Sequence, residues 1–140
     1  HTRYIGDWSS DVCSSDLMIC HAGHVFASNY LVTVVDVARR LYAEAGIPVE
    51  VVETMLPPIV RGTVENVCAL GTTEALTGPV VRGDAALVER QLSALSELDP
   101  EIASLYREFI GHASLIAARR GHLTDEAVEA LRRVQRREGA

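Results

Sequence analysis

Four polar side chains interrupt an otherwise apolar run: His21, His24, Ser28 and Asn29. At about 100° per residue on a helix, His21, His24 and Ser28 share a sector of about 60°, and Asn29 lies about 80° from His21. A histidine so placed can move a proton near neutral pH, and an amide can orient a substrate oxygen or amine. The alternative is a set of helix-end polar groups satisfied by backbone or water. His21 and His24 are three apart, but no third ligand is indicated, so no metal site is expected. Farther along, Asn66 stands out because asparagine gains little inside a helix. The segment Leu76-Thr77-Gly78-Pro79 to Arg82-Gly83-Asp84 is the best loop candidate. Its glycines and proline permit close backbone approach, and Arg82 can hold a carboxylate or phosphate. Against this stands a plain helix–helix connection capped by Asp84. No glycine-rich phosphate loop, nucleophile elbow or zinc motif accompanies these residues.

The elements that must position them are helical. Ala27, Leu31, Val34, Val35, Ala38, Leu41, Tyr42 and Ala45 recur at three- and four-residue spacing up to Gly46-Ile47-Pro48. This predicts one long first helix of about seven turns. Its N-terminal half is apolar nearly all round, which calls for burial on more than one side by a partner subunit or domain. A second helix is predicted from about Val49 to Leu70, kinked or broken at Pro57-Pro58. After a short turn at 72–76, Asp84 caps a helix with Leu87, Val88, Leu92 and Leu95 facing inward. Asp99-Pro100 then opens another, which carries Ile102, Leu105, Tyr106, Phe109, Ile110, Ala113, Ile116 and Ala117 to a stop near Gly121. Thr124 caps the last, acidic at its start and arginine-rich at its end. The predicted fold class is an all-α helical bundle.

Length and composition agree. One hundred and forty residues, 48% apolar and 23% charged, suit one globular domain that needs no disulfide or metal to fold. Thirteen basic against 19 acidic residues give −6, the wrong sign for a nucleic-acid partner. All the basic residues are arginine, which looks like the coding bias of a GC-rich genome and removes lysine chemistry. Cys13, Cys20 and Cys68 have no ligand spacing and fit a reducing cytoplasm. No membrane span is expected, since the apolar run 30–38 contains Asp36 and meets Arg39-Arg40.

Residues 1–17, HTRYIGDWSSDVCSSDL, have no helical or alternating period. They resemble translated sequencing-adapter DNA, a contaminant of assembled metagenomes, and are set apart as a disordered artefact. They hold one arginine and three aspartates, so residues 18–140 carry −4.

Three motifs in order carry a family resemblance: HAGHVFASNYL over 21–31, PIVRGTVEN over 58–66 and ALTGPVVRGD over 75–84. Together they resemble the helical domain-of-unknown-function family 2520, across about residues 20–117. Such domains lie C-terminal to a Rossmann-like domain in proteins described as NADP-dependent oxidoreductases, and are similar to the C-terminal domains of 6-phosphogluconate dehydrogenase-like enzymes. The resemblance implies a homodimer whose helical domains close over a nicotinamide held by the Rossmann half. It places His21 and Asn29 as catalytic candidates. Ser28, Asn66, Thr77, Gly78, Pro79 and Arg82 become candidates for holding a small-molecule substrate. Related β-hydroxyacid dehydrogenases carry a lysine four residues before such an asparagine; Val25 stands there, so that mechanism does not carry over.

No glycine-rich nucleotide-binding turn occurs in the 140 residues. The expectation is therefore the C-terminal part of an NAD(P)-dependent oxidoreductase, truncated and inactive alone, with NADP or NAD bound only by the full-length parent. The competing expectation is a stand-alone helical interaction module that starts at Met18 and has no catalytic role.

Overall fold

A computed structural model of the chain describes residues 14–137, and all regular structure among them is α-helical. In order the helices are α1 (Ser14–Ala27), α2 (Asn29–Glu44), α3 (Val49–Leu70), α4 (Thr72–Ala75), α5 (Ala85–Leu98), α6 (Pro100–Arg120) and α7 (Asp125–Arg136). Two compact units divide between Met55 and Leu56, inside α3. Of the stretch 1–17, residues 1–13, Cys13 among them, lie outside the described residues, and Ser14–Leu17 form the first turn of α1.

In the first unit the predicted single helix is two helices in sequence. Ser28 leaves helical geometry (φ −126°, ψ −67°), yet its N–H still bonds the His24 carbonyl at 3.1 Å and its carbonyl accepts from Val32 N–H at 3.3 Å. The rings of Phe26 and Tyr30 meet edge to face across this joint, with centroids 5.1 Å apart. α2 ends in a Schellman motif. Gly46, at φ +83°, lets its own N–H reach Ala43 O and the Ile47 N–H reach Tyr42 O. The chain then turns into α3, and Arg39 of α2 pairs with Glu53 of α3. That contact holds the Glu53 carboxyl below its ordinary pKa, through the hydrogen bond first and the Arg39 charge second.

Among the described residues, Ser14–Glu44 is a helical stretch long and apolar enough to cross a membrane by length and composition. The expectation of no span was drawn from residues 30–38 alone. The helix also takes in the apolar groups Leu17-Met18-Ile19 and Val25-Phe26-Ala27, upstream of Asp36 and the arginines.

Of the kink or break expected at Pro57-Pro58, the break is absent: α3 runs through both prolines as one helix. The prolines remove two N–H groups that would bond the carbonyls of Glu53 and Thr54, but their fixed φ suits a helix. Glu53, Thr54 and Pro58 are exposed, so water can reach the freed carbonyls.

The second unit holds the main core. Val88 and Leu92 of α5, Ala103 and Ile110 of α6, and Leu131 and Val134 of α7 form one buried cluster. Val80, Leu95, Tyr106 and Leu123 pack on its edges. Each helix starts where a cap predicts. Asp84 Oδ1 accepts from Leu87 N–H, Asp99 Oδ1 from Glu101 N–H, and Thr124 Oγ1 from Ala127 N–H. Gly121, at φ +74°, stops α6.

Leu105 and Phe109, both in the apolar period of this helix, are 39% and 48% exposed. The buried stripe of α6 is centred between Tyr106 and Ile110. At about 100° per residue, Leu105, Phe109 and Ile116 fall on one flank of it, beyond the face that α5 and α7 cover.

Leu131→Ala should lower stability by about 2–5 kcal/mol, because a fully buried side chain leaves a cavity between three helices. Urea unfolding followed by circular dichroism measures it. Tyr106 supplies a pH test. Burial pushes its phenol pKa up. The folded state therefore favours the neutral phenol. Its contribution to stability is complete below the unfolded phenol pKa and disappears as pH rises through the raised folded value. A phenolate absorbance titration should show a late-titrating tyrosine that Tyr106→Phe removes.

Candidate functional site

Three helical positions one turn apart start the site. Thr63, Asn66 and Val67 stand at i, i+3 and i+4 on α3, so they share a face. They form one wall of a cavity of about 250 Å³. Thr72 and Ala75 of α4, with Leu76 and Thr77 just after it, form a second wall, and Ile116 on the uncovered flank of α6 closes the third. All of these residues belong to the second unit.

The short α4 wall is tied down by the end of α6. Arg120 Nη1 donates to Leu76 O at 2.8 Å, and its Nη2 lies 3.8 Å from a Glu74 carboxylate oxygen. Arg119 Nε donates to Thr73 Oγ1 at 3.3 Å. Two cations therefore serve the wall rather than the space. Thr63 Oγ1 spends its hydrogen on Ile59 O at 2.9 Å, which leaves its lone pairs as acceptors. Among the described residues nothing holds the Asn66 amide or the Thr77 hydroxyl.

Of the predicted binding residues, Asn66 and Thr77 meet in this cavity, while Gly78, Pro79 and Arg82 lie outside its lining. The segment that follows Thr77 has a structural task instead. It folds into a compact turn in which Asp84 N–H bonds Pro79 O at 2.9 Å. Val80 packs on the core. Gly83 sits at φ +70°, where an added Cβ would stand 3.1 Å from Ala127 Cβ and 3.2 Å from Leu123 Cδ2. Glycine is required there to admit α7. Arg82 is exposed.

The polar group of the first unit is arranged locally. Cys20 Sγ lies 3.8 Å from His24 Nε2, one turn away. Ser28 Oγ donates to Asn29 Oδ1 at 3.3 Å, and Thr33 Oγ1 donates to Asn29 O at 3.1 Å. His21, Ser28 and Asn29 are exposed. Among the described residues no three His, Cys, Asp or Glu side chains gather to hold a metal.

Thr63 and Ile116 were not singled out in the sequence. The signal for Thr63 was its place one turn before Asn66. For Ile116 there was none, because an isoleucine in an apolar stripe reads as core.

Replacing Arg120 with Met should loosen the α4 wall. Amide hydrogen exchange over 72–77 is expected to accelerate about tenfold or more, as a charge-assisted hydrogen bond and an ion pair are lost together. Exchange at Leu92 in the core should change far less.

The family model described as Domain of unknown function (DUF2520) matches residues 4–112, a span that begins inside the adapter-like segment and ends within α6. No curated protein and no solved structure matches the chain. With its matched span covering most of the 140 residues, the chain belongs to the DUF2520 family.

Proposed function

We propose that this chain is the helical, substrate-binding and dimerising part of an NAD(P)-dependent oxidoreductase that works with a Rossmann-type nucleotide-binding domain. The observation that carries the reading is the state of α1 and α2. No residue of either helix is buried, and Met18, Ile19, Phe26 and Val32 are 61–71% exposed. Side chains of this type in this density suit a face covered by another subunit or domain. A self-sufficient interaction module would leave that area in water. Lipid is the poorer match, because His21, His24, Ser28, Asn29 and Asp36 are spread along the same helices.

In this reading NADP or NAD is held by the nucleotide-binding domain, and this chain supplies the substrate's surroundings. Asn66 and Thr77 offer hydrogen-bonding groups at a cavity of about 250 Å³. His21 and Asn29 are the candidates for proton transfer and for orienting the reacting oxygen or nitrogen. The motifs at 21–31, 58–66 and 75–84 support these roles by resemblance.

The test begins with the source DNA, sequenced across the junction upstream of codon 18. The restored protein is then expressed and titrated with NADPH and NADH by nicotinamide fluorescence, and its mass is read by sedimentation. Saturable cofactor binding by a dimer is expected. A restored protein that binds neither nucleotide overturns the oxidoreductase reading, and a monomer overturns the dimerising role. In the active protein Asn66→Ala should raise KM about tenfold with a smaller change in kcat, as expected for loss of a hydrogen bond made in both ground and transition states.

A further inference from the structure

The cavity walled by α3, α4 and Ile116 carries chemical information about what it accepts. Its polar atoms are three threonine hydroxyls and one asparagine amide; the rest of its lining is aliphatic, and no charged side chain is among its lining residues. Of the arginines that reach its α4 wall, Arg120 donates to Leu76 O and pairs with Glu74 while its Nε is buried without a partner, and Arg119 Nε donates to Thr73; neither is among the lining residues. Arg82, considered for an anion in the sequence, is exposed and outside the lining.

Thr63, Asn66, Val67, Thr72 and Thr77 are exposed, so a carboxylate or phosphate brought here would give up only part of its hydration, but it would meet no cation among the lining residues. A neutral group loses less. The hydrogen-bonding pattern narrows the choice further. With its hydrogen on Ile59 O, Thr63 presents only lone pairs to the cavity, so it calls for a donor on the ligand. Asn66 presents both a carbonyl and an NH₂. Val67, Ala75, Leu76 and Ile116 accommodate a small apolar body. The volume, about 250 Å³, is below the ~300–1,000 Å³ typical of sites for drug-sized ligands.

We infer that this cavity selects an uncharged, fragment-sized ligand with a branched aliphatic body and a polar head that both donates and accepts hydrogen bonds, an alcohol or primary amide, and that it discriminates against carboxylates and phosphates. The inference rests on the reading of this cavity as the substrate site. It narrows the substrate class to neutral hydroxyl- or amide-bearing molecules and removes the acidic metabolite that an exposed arginine would suggest.

Three probes of nearly equal shape separate the terms: isobutyramide, which donates and accepts; 3-methyl-2-butanone, which only accepts; and isobutyrate, which is charged. Each is titrated into the ¹⁵N-labelled chain. Isobutyramide should give saturable shifts centred on Thr63, Asn66 and Thr77. The ketone should bind about three- to tenfold more weakly, and isobutyrate at least about tenfold more weakly. Thr63→Val, which keeps the shape and removes the acceptor, should weaken the amide and leave the ketone unchanged. Thermal melting checks that the variant is folded, and Asn66→Ala on the exposed face of α3 gives a second, independent loss. Isobutyrate binding as well as the amide overturns the inference, as does an absence of cavity shifts with all three probes. Cofactor titration of the restored protein is independent of these probes, so failure here leaves the oxidoreductase reading to its own test.

Discussion

The interlock of α5, α6 and α7 is the constraint on which the second unit depends. Val88, Leu92 and Leu131 are its fully buried side chains, one pair from α5 and one residue from α7, closed by Ala103 and Ile110 of α6. Burial of side chains of this kind is worth about 1.5–3 kcal/mol each, a large part of what holds a small domain. Because the interlock fixes the rotation of α6, it also fixes what the flank of α6 presents. Ile116 faces the cavity for the same geometric reason that Ala117 is buried beside it. The site is a by-product of the angle at which α6 meets its neighbours.

That arrangement explains why two arginines end α6. They complement the helix dipole at its C-terminus, and their reach to Thr73, Glu74 and Leu76 holds a helix of four residues that could not persist alone. The consequence is chemical as well as structural. Neither arginine is among the residues that line the cavity, whose polar side chains are hydroxyls and one amide. Glycine and proline in the segment after Thr77 act in the same direction. They shape a turn that packs Val80 and admits α7 against Gly83, rather than opening a loop to solvent.

Helix boundaries after residue 70 were legible because local chemistry decides them. Asp84, Asp99 and Thr124 cap as short polar side chains do, and Gly121 stops α6 in the left-handed region. What was not legible depended on neighbours. The exposure of Leu105 and Phe109 follows from how much of α6 its partners cover, which the apolar period alone cannot reveal. The passage of α3 through two prolines depends on freed carbonyls facing water. The joint at Ser28 had no breaker residue to announce it. In the site, Asn66 was conspicuous as an amide inside a helix, and Thr77 as a loop residue. Thr63 and Ile116 looked ordinary because their roles exist only once α3, α4 and α6 are together.

The contrast within the molecule bears on why α1 to α3 have their composition. From Val88 onward, apolar residues are largely consumed by a core, and Leu92 and Leu131 are essentially out of water. Before it, Val52 and Leu56 are the buried hydrophobics among the described residues, while Ile19, Phe26, Val32, Val49, Ile59 and Leu70 stand half or more exposed. Such side chains contribute little to an isolated helix and raise the risk of aggregation, so their presence is not accounted for by the stability of this chain alone. A face that is apolar on several sides, regular in its helical period and interrupted by a few aligned polar groups fits burial against a folded surface that supplies matching hydrogen bonds. The internal core answers to α5, α6 and α7, whereas no residue of α1 or α2 is buried, and that contrast is the observation on which the proposed function rests.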